Sequence, residues 1–253
     1  MLSQLGWPRM LSTPRNELPP TVAPFYRRHP SVLAPELVDR LSAISHNYKF
    51  AYFRVFKAAN STAVASLYFG ETGTSVTDLG SLQTIKDSYY AKASTLSLRQ
   101  VQELERSYLK FTVVRDPYTR ILAAYLNKVL PNEKGKRDIV NRGLGRRADA
   151  EVNFSAFLSY LEQGGILENA HWCRQADMIP YRLDGLDVIA RIESLDRDLA
   201  MILERIFRGK RRLISVREHA TGATREHLLL NESSRARIFA LYEADFESLG
   251  YPQ

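Results

Sequence analysis

The chain has 253 residues, 45% of them hydrophobic and 25% charged, with a formal net charge of +7; this balance fits one domain over 1–253 with a continuous core, and the excess of positive charge favours anionic partners. A single cysteine, Cys173, excludes an intrachain disulfide and a zinc site built on several cysteines. No run approaches the roughly 18–20 apolar residues of a membrane span, and the first residues lack the apolar core of a secretory signal, so a cytoplasmic protein is expected.

Residues 1–45 are Pro-rich and mixed, with a short helical stretch around Pro35 to Ser45, and read as an arm packed over the domain. Tyr48 to Phe56 is a run of aromatic and apolar residues that predicts a buried strand. The run breaks at Lys57-Ala58-Ala59-Asn60-Ser61-Thr62, and Ala63 to Phe69 predicts a helix with Gly70 as its stop. Leu98, Val101 and Leu104 recur on one face of a short helix, and Tyr108 to Val114 predicts a second strand ending at Arg115-Asp116-Pro117. A helix follows from Tyr118 to Val129; the basic, Gly-containing segment Pro131 to Glu151 reads as a mobile loop. Helices over Phe154 to Leu161, Leu195 to Phe207 and Ser234 to Leu249, and a strand over Leu186 to Ile192, complete the pattern. Strands alternating with helices predict an α/β fold, a central parallel sheet flanked by helices in three layers.

In such a sheet, ligands bind beyond the carboxyl ends of the strands, and two strand ends carry anion-binding chemistry. Lys57 to Thr62 opens a helix, where backbone N–H groups and the positive end of the helix dipole attract an anion, and Lys57, Ser61 and Thr62 add an ammonium and two hydroxyls. The segment lacks the glycines and the Gly-Lys-Ser/Thr ending of an ordinary P-loop, and taken alone it is better explained as a capped helix beside a surface lysine. Arg115 presents a planar fork suited to phosphate, with Arg120 three positions after Pro117; Asp116 can cap the next helix and Pro117 suits its first turn.

The run Lys110 to Lys128, KFTVVRDPYTRILAAYLNK, closely resembles the 3′-phosphate-binding signature of carbohydrate sulfotransferases of the chondroitin and dermatan type. Lys57 to Thr62 resembles that family's 5′-phosphosulfate loop, His171-Trp172 with Gln175 its His-Trp-x-x-Gln element, and Ile189 to Leu195 with Asp198-Leu199 its third strand and following helix. The resemblance spans about Lys49 to Tyr251, with two departures: Phe56 precedes Lys57 where the family often has proline, and Ala123 replaces a serine that helps hold the 3′-phosphate.

The resemblance implies a P-loop-like fold and transfer of a sulfuryl group from 3′-phosphoadenosine 5′-phosphosulfate (PAPS) to a hydroxyl acceptor such as a carbohydrate, by in-line displacement and without a metal. Lys57 would stabilise the bridging oxygen; Ala58, Ala59, Asn60, Ser61 and Thr62 would hold the 5′-phosphate; Arg115 would clamp the 3′-phosphate. His171 is the leading candidate for the base that takes the acceptor proton. His219, Glu133 or another acidic residue of the 131–151 loop, His29 and His46 are the other candidates. Rival readings are a P-loop-like ATP-dependent kinase, a catalytically degenerate nucleotide-binding protein, and a nucleic-acid-binding protein. The kinase lacks its Gly-Lys-Ser/Thr, and the scattered positive charges form no nucleic-acid-binding helix or sheet face.

Overall fold

A computed structural model of the chain describes residues 23–209, 213–216 and 228–253. These fall into two compact units, one of residues 23–114 with 177–209 and 213–216, the other of residues 115–176 with 228–253.

The first unit holds the sheet. Strands β1 (Ser42–Ser45), β2 (Phe50–Phe53), β3 (Leu109–Val114) and β4 (Val188–Arg191) lie side by side in that order. β1 is antiparallel to β2, and β2, β3 and β4 are parallel, with Phe53 opposite Thr112 and Val113 opposite Ala190. The expected α/β architecture is thus present, with a sheet that is parallel except at its β1 edge, and both faces of the sheet are covered, as parallel strands require. The period of two along β2 sends Phe50 and Tyr52 to one face and Phe53 to the other. Phe50 meets Phe207, and Tyr52 stacks on Phe111. Phe53 meets Phe25 and Tyr181. Phe207 ends helix α10 (Leu195–Phe207), while Phe25 lies on α1 (Pro24–Arg28), which is tied to α5 (Leu98–Ser107) by the Arg28–Glu105 ion pair at 2.7 Å.

Two sequence expectations change here. Residues 42–45, read as part of a helical arm, form β1; helix α2 (Pro35–Leu41) stops just before them. Residues 1–22 lie outside the described residues. Gly70 does not stop helix α3, which runs over Asn60–Thr72 to a left-handed C-cap at Gly73 with φ of 73°. Gly70 is instead a point of close approach, since a Cβ there would stand 2.3 Å from the Phe207 ring. A glycine read as punctuation is therefore a packing residue between α3 and α10.

The second unit is helical: α6 (Pro117–Ala124), continued by a π turn over Tyr125–Val129, then α7 (Lys136–Gly143), α8 (Phe154–Glu162), the short α9 (Gln175–Met178), which begins here and ends in the first unit, and α11 (Glu232–Leu249). The segment expected as a mobile loop contains α7. Asn132 Oδ1 accepts the Arg137 backbone N–H at 2.9 Å, and Asn141 Nδ2 donates to the carbonyls of Ala148 and Ala150 at 3.0 and 2.8 Å. Its basic composition hid the helix because the structuring groups are two asparagines that bond backbone, not an apolar stripe. The spacing along 234–249 predicts burial of Ile238, Leu241, Tyr242 and Phe246; in α11 Ile238, Tyr242 and Phe246 are buried and Leu241 is half-buried.

Candidate functional site

In the first unit, Lys57–Thr62 follows β2 and turns into α3. Two residues of this turn adopt left-handed backbone, Lys57 with φ of 68° and Ala59 with φ of 49°. For residues bearing a Cβ, each such conformation costs about 1–3 kcal/mol. An ordinary P-loop makes the same bend with glycines, so this chain holds the bend with strain. Left-handed residues at Lys57 and Ala59, two positions apart, are a feature of the backbone nests that bind anions when right-handed residues alternate with them. Ala59 is the N-cap of α3, and no side chain caps this helix. The alternative reading of a side-chain-capped helix beside a surface lysine is therefore not what the segment forms. Capping is used elsewhere: Ser97 and Gln100 make a reciprocal capping box on α5, and Asp116 and Asn153 cap α6 and α8.

The hydroxyls of the α3 first turn are engaged. Lys86 Nζ donates to Ser61 Oγ at 2.7 Å. Thr62 Oγ1 accepts the Val216 N–H at 3.2 Å and donates to its carbonyl at 3.3 Å, and one turn later Ser66 Oγ accepts the Ile214 N–H at 2.9 Å. Residues 213–216 thus run along α3. The side-chain oxygen of Asn60 is buried without a hydrogen-bond partner among the described residues.

In the second unit, Arg115 is the first residue after β3 and precedes the Asp116 cap, whose Oδ1 accepts the Thr119 N–H at 2.9 Å. Its backbone is clamped by Gln175: the Arg115 N–H donates to Gln175 Oε1 at 2.9 Å, and Gln175 Nε2 donates to the Arg115 carbonyl at 2.7 Å. Gln175 is fixed in turn, since Asp245 of α11, fully buried, accepts the backbone N–H groups of Gln175 and Ala176 at 2.8 and 2.9 Å. The guanidinium of Arg115 is steered by its Nε, which donates to Thr119 Oγ1 at 3.1 Å. Ala123 is buried on α6.

Arg120 is 0% exposed; it donates to the carbonyls of Cys173 at 2.7 Å and Ala170 at 3.4 Å. It therefore holds the turn that carries His171. Trp172 is also fully buried, its Nε1 donating to the Gly165 carbonyl at 2.8 Å, and its own carbonyl accepts the Tyr242 hydroxyl. Its indole packs in the core, edge-on to Phe157 and Tyr160.

Half-buried His171 has a defined tautomer. Asn169 Oδ1 accepts the His171 backbone N–H at 3.0 Å and lies 2.8 Å from ring Nδ1. A backbone N–H can only donate, so the Asn169 atom is the oxygen; an amide oxygen can only accept, so Nδ1 carries the ring proton. In the neutral ring it is then Nε2 that carries the lone pair, as a general base requires.

Three of the remaining base candidates have other engagements. His29 Nε2 lies 3.0 Å from Glu105 with its ring against Tyr181, His46 Nδ1 lies 2.7 Å from the Tyr108 hydroxyl, and Glu133 pairs with Lys128. His219 lies outside the described residues. No group of three or more His, Cys, Asp or Glu side chains suited to a metal occurs among the described residues, and none of their helices is long and apolar enough to cross a membrane.

Residues 41–252 match the sequence model of the Sulfotransferase family. Carbohydrate sulfotransferase 12 of Mus musculus is 29% identical over 175 residues, covering 58% of this chain and 41% of the relative. Carbohydrate sulfotransferase 10 of Homo sapiens is 26% identical over 187 residues, covering 63% and 51%, and carbohydrate sulfotransferase 14 of Danio rerio is 28% identical over 178 residues, covering 63% and 48%. The chain thus spans about half or less of the length of these relatives. No solved structure matches it.

Proposed function

Because the chain belongs to the Sulfotransferase family, we propose that it transfers the sulfuryl group of PAPS to a carbohydrate hydroxyl. The observation that carries this reading is the turn between β2 and α3, where Lys57 and Ala59 hold strained left-handed backbone at the start of a helix that no side chain caps. Strain of this kind clusters at functional sites, where the surrounding structure over-determines it, and its position at an uncapped helix start supports an anion-binding role for this turn.

In the proposed reaction, the acceptor oxygen attacks sulfur, forming a new S–O bond as the bond from sulfur to the bridging phosphate oxygen breaks. The acceptor proton passes to His171 Nε2, and the electron pair of the broken bond leaves on the 5′-phosphate of adenosine 3′,5′-bisphosphate. Lys57 neutralises the charge that develops on the leaving oxygen, and the amides of residues 58–62 hold the 5′-phosphate. Arg115, its backbone locked by Gln175, binds the 3′-phosphate that distinguishes PAPS from ATP. Little covalent chemistry falls to the protein, as in phosphoryl transfer.

The test is transfer of radiolabelled sulfate from PAPS to a panel of desulfated glycans, chondroitin and dermatan first. Label should enter a glycan in step with release of adenosine 3′,5′-bisphosphate. Release without transfer to any saccharide would remove the carbohydrate from the account, and neither event would remove the transferase.

A further inference from the structure

The end of α3 away from the phosphate loop carries side chains with no part in the reaction above. Tyr68 and Glu71 lie three residues apart, on one face of the last turns of α3. Tyr48, between β1 and β2, donates its hydroxyl to the Glu71 carbonyl at 3.5 Å. Helix α4 (Leu79–Thr84) continues as a π turn (Ile85–Tyr89) that brings Tyr89 to the same place. Tyr89 is 43% exposed, and its ring is edge-on to Tyr68 at 4.8 Å and to Tyr90 at 4.9 Å. Tyr90 is 4% exposed and packs on Phe50 of β2.

Two polar atoms here are buried without a hydrogen-bond partner among the described residues, Glu71 Oε1 and the Tyr90 hydroxyl; burying such groups unpaired is unfavourable. The second Glu71 oxygen accepts the Tyr89 hydroxyl at 3.4 Å, longer than an ordinary O–H···O bond and so readily exchanged. Burial raises the Glu71 carboxyl above its ordinary value, against the lowering effect of Ser45 and Tyr89. Burial first, and Glu71 second, raise the Tyr90 hydroxyl well above its own ordinary value, so the phenol keeps its proton and can donate.

Charge and geometry narrow the ligand that would complete these groups. A carboxylate repels anions. The ring separations of 4.8 and 4.9 Å leave no space between Tyr68, Tyr89 and Tyr90 for an organic ammonium to enter an aromatic cage. An alcohol hydroxyl has one proton and two lone pairs, so a single one can donate to Glu71 Oε1 while it accepts from Tyr90. The exposed Tyr89 ring adds a rigid, flat face suited to the C–H face of a sugar. We propose that Tyr89, Tyr90 and Glu71 form an outlying subsite for a neutral sugar residue, whose hydroxyl replaces Tyr89 on Glu71 while its ring lies against Tyr89. The ligand class rests on the carbohydrate reading above. The proposal goes beyond that reading by giving the acceptor a second point of attachment, about 15 Å along α3 from Ser61.

The experiment is saturation-transfer NMR titration of cellohexaose, maltohexaose, chitohexaose and a hexamer of N-acetyllactosamine into wild type, Glu71→Gln, Tyr90→Phe, Tyr89→Phe and Tyr89→Ala. Wild type should bind at least one of these neutral saccharides. Glu71→Gln and Tyr90→Phe should each weaken that binding by about tenfold, as loss of one buried or charged hydrogen-bond partner implies. Tyr89→Phe should keep it, because the ring remains, and Tyr89→Ala should lose it. Tyr90→Phe should melt at or above the wild-type temperature, since it removes a buried hydroxyl that lacks a partner, so its loss of binding is not a loss of folding. Failure of wild type to bind any of the four overturns the proposal. Binding unchanged in Glu71→Gln and Tyr90→Phe, or displaced by tetramethylammonium, also overturns it. The titration contains no PAPS, so its failure and a failure of sulfate transfer to saccharides are read separately.

Discussion

Replacing Lys57 by methionine is expected to lower the rate of sulfuryl transfer by about 10²–10³, the usual consequence of removing one preorganised donor from a developing oxyanion. The loss should fall on kcat, because the charge that Lys57 meets is formed as the S–O bond breaks and is smaller in the ground state. Affinity for adenosine 3′,5′-bisphosphate should fall much less, since the amides of the loop and Arg115 remain. Methionine is the informative substitution because it keeps a Cβ at a residue whose φ is 68°, so the backbone strain is unchanged. Lys57→Gly offers a complementary readout: it removes the ammonium and the strain together, and should be as inactive as Lys57→Met yet melt at a higher temperature. Single-turnover kinetics and thermal unfolding on the two variants check both parts. Equal loss of kcat and of nucleotide affinity in Lys57→Met would place Lys57 in ground-state binding instead.

Replacing His171 by alanine is expected to lower transfer by about 10²–10⁴, the range for a positioned general base, with nucleotide binding unaffected. The prediction follows from Asn169 Oδ1, which accepts from both the backbone and the ring Nδ1 of His171 and so leaves Nε2 as the proton acceptor. Asn169→Ala should therefore lose a smaller part of the rate, since the imidazole remains and only its tautomer and orientation are released. Free imidazole added to His171→Ala should restore a measurable fraction. Transfer by His171→Ala above a tenth of the wild-type rate would move the base elsewhere.

The parts of this architecture that were legible in the sequence are those written in local pattern. The aromatic run ending at Lys57, the apolar run ending at Arg115 and the 195–207 helix all appear close to where the side-chain periods put them. Asp116 and Pro117 work as the cap and first residue of α6, as their order suggests. β1 was not legible because four residues, Ser42–Ser45, are too few to show a period of two beside a helical stretch. Gly70 misled because a glycine inside a helix looks like a stop until the Phe207 ring it admits is known.

Within the candidate site, the residues proposed to meet the chemistry carry more sequence signal than those that hold them. Arg120 was read with Arg115 as a cation of a strand end, but it is buried on carbonyls about 50 residues away. Its partners carry no sequence signal, because backbone carbonyls are supplied by any residue. Asn169 could have been found, as an amide two positions before a histidine is a local signal for a fixed tautomer. Lys86 could not, since only the fold brings it to Ser61.

The most direct test of the central claim is the nucleotide selectivity of the wild-type protein and of Arg115→Ala, measured by calorimetry with adenosine 3′,5′-bisphosphate, ADP and 5′-AMP. Wild type should bind the 3′,5′-bisphosphate at least tenfold more tightly than either control, as one charge-assisted phosphate contact implies. Arg115→Ala should bring all three to similar affinity. Equal binding of ADP and the 3′,5′-bisphosphate by wild type, or selectivity that survives the loss of Arg115, would contradict the assignment of a PAPS site to this chain.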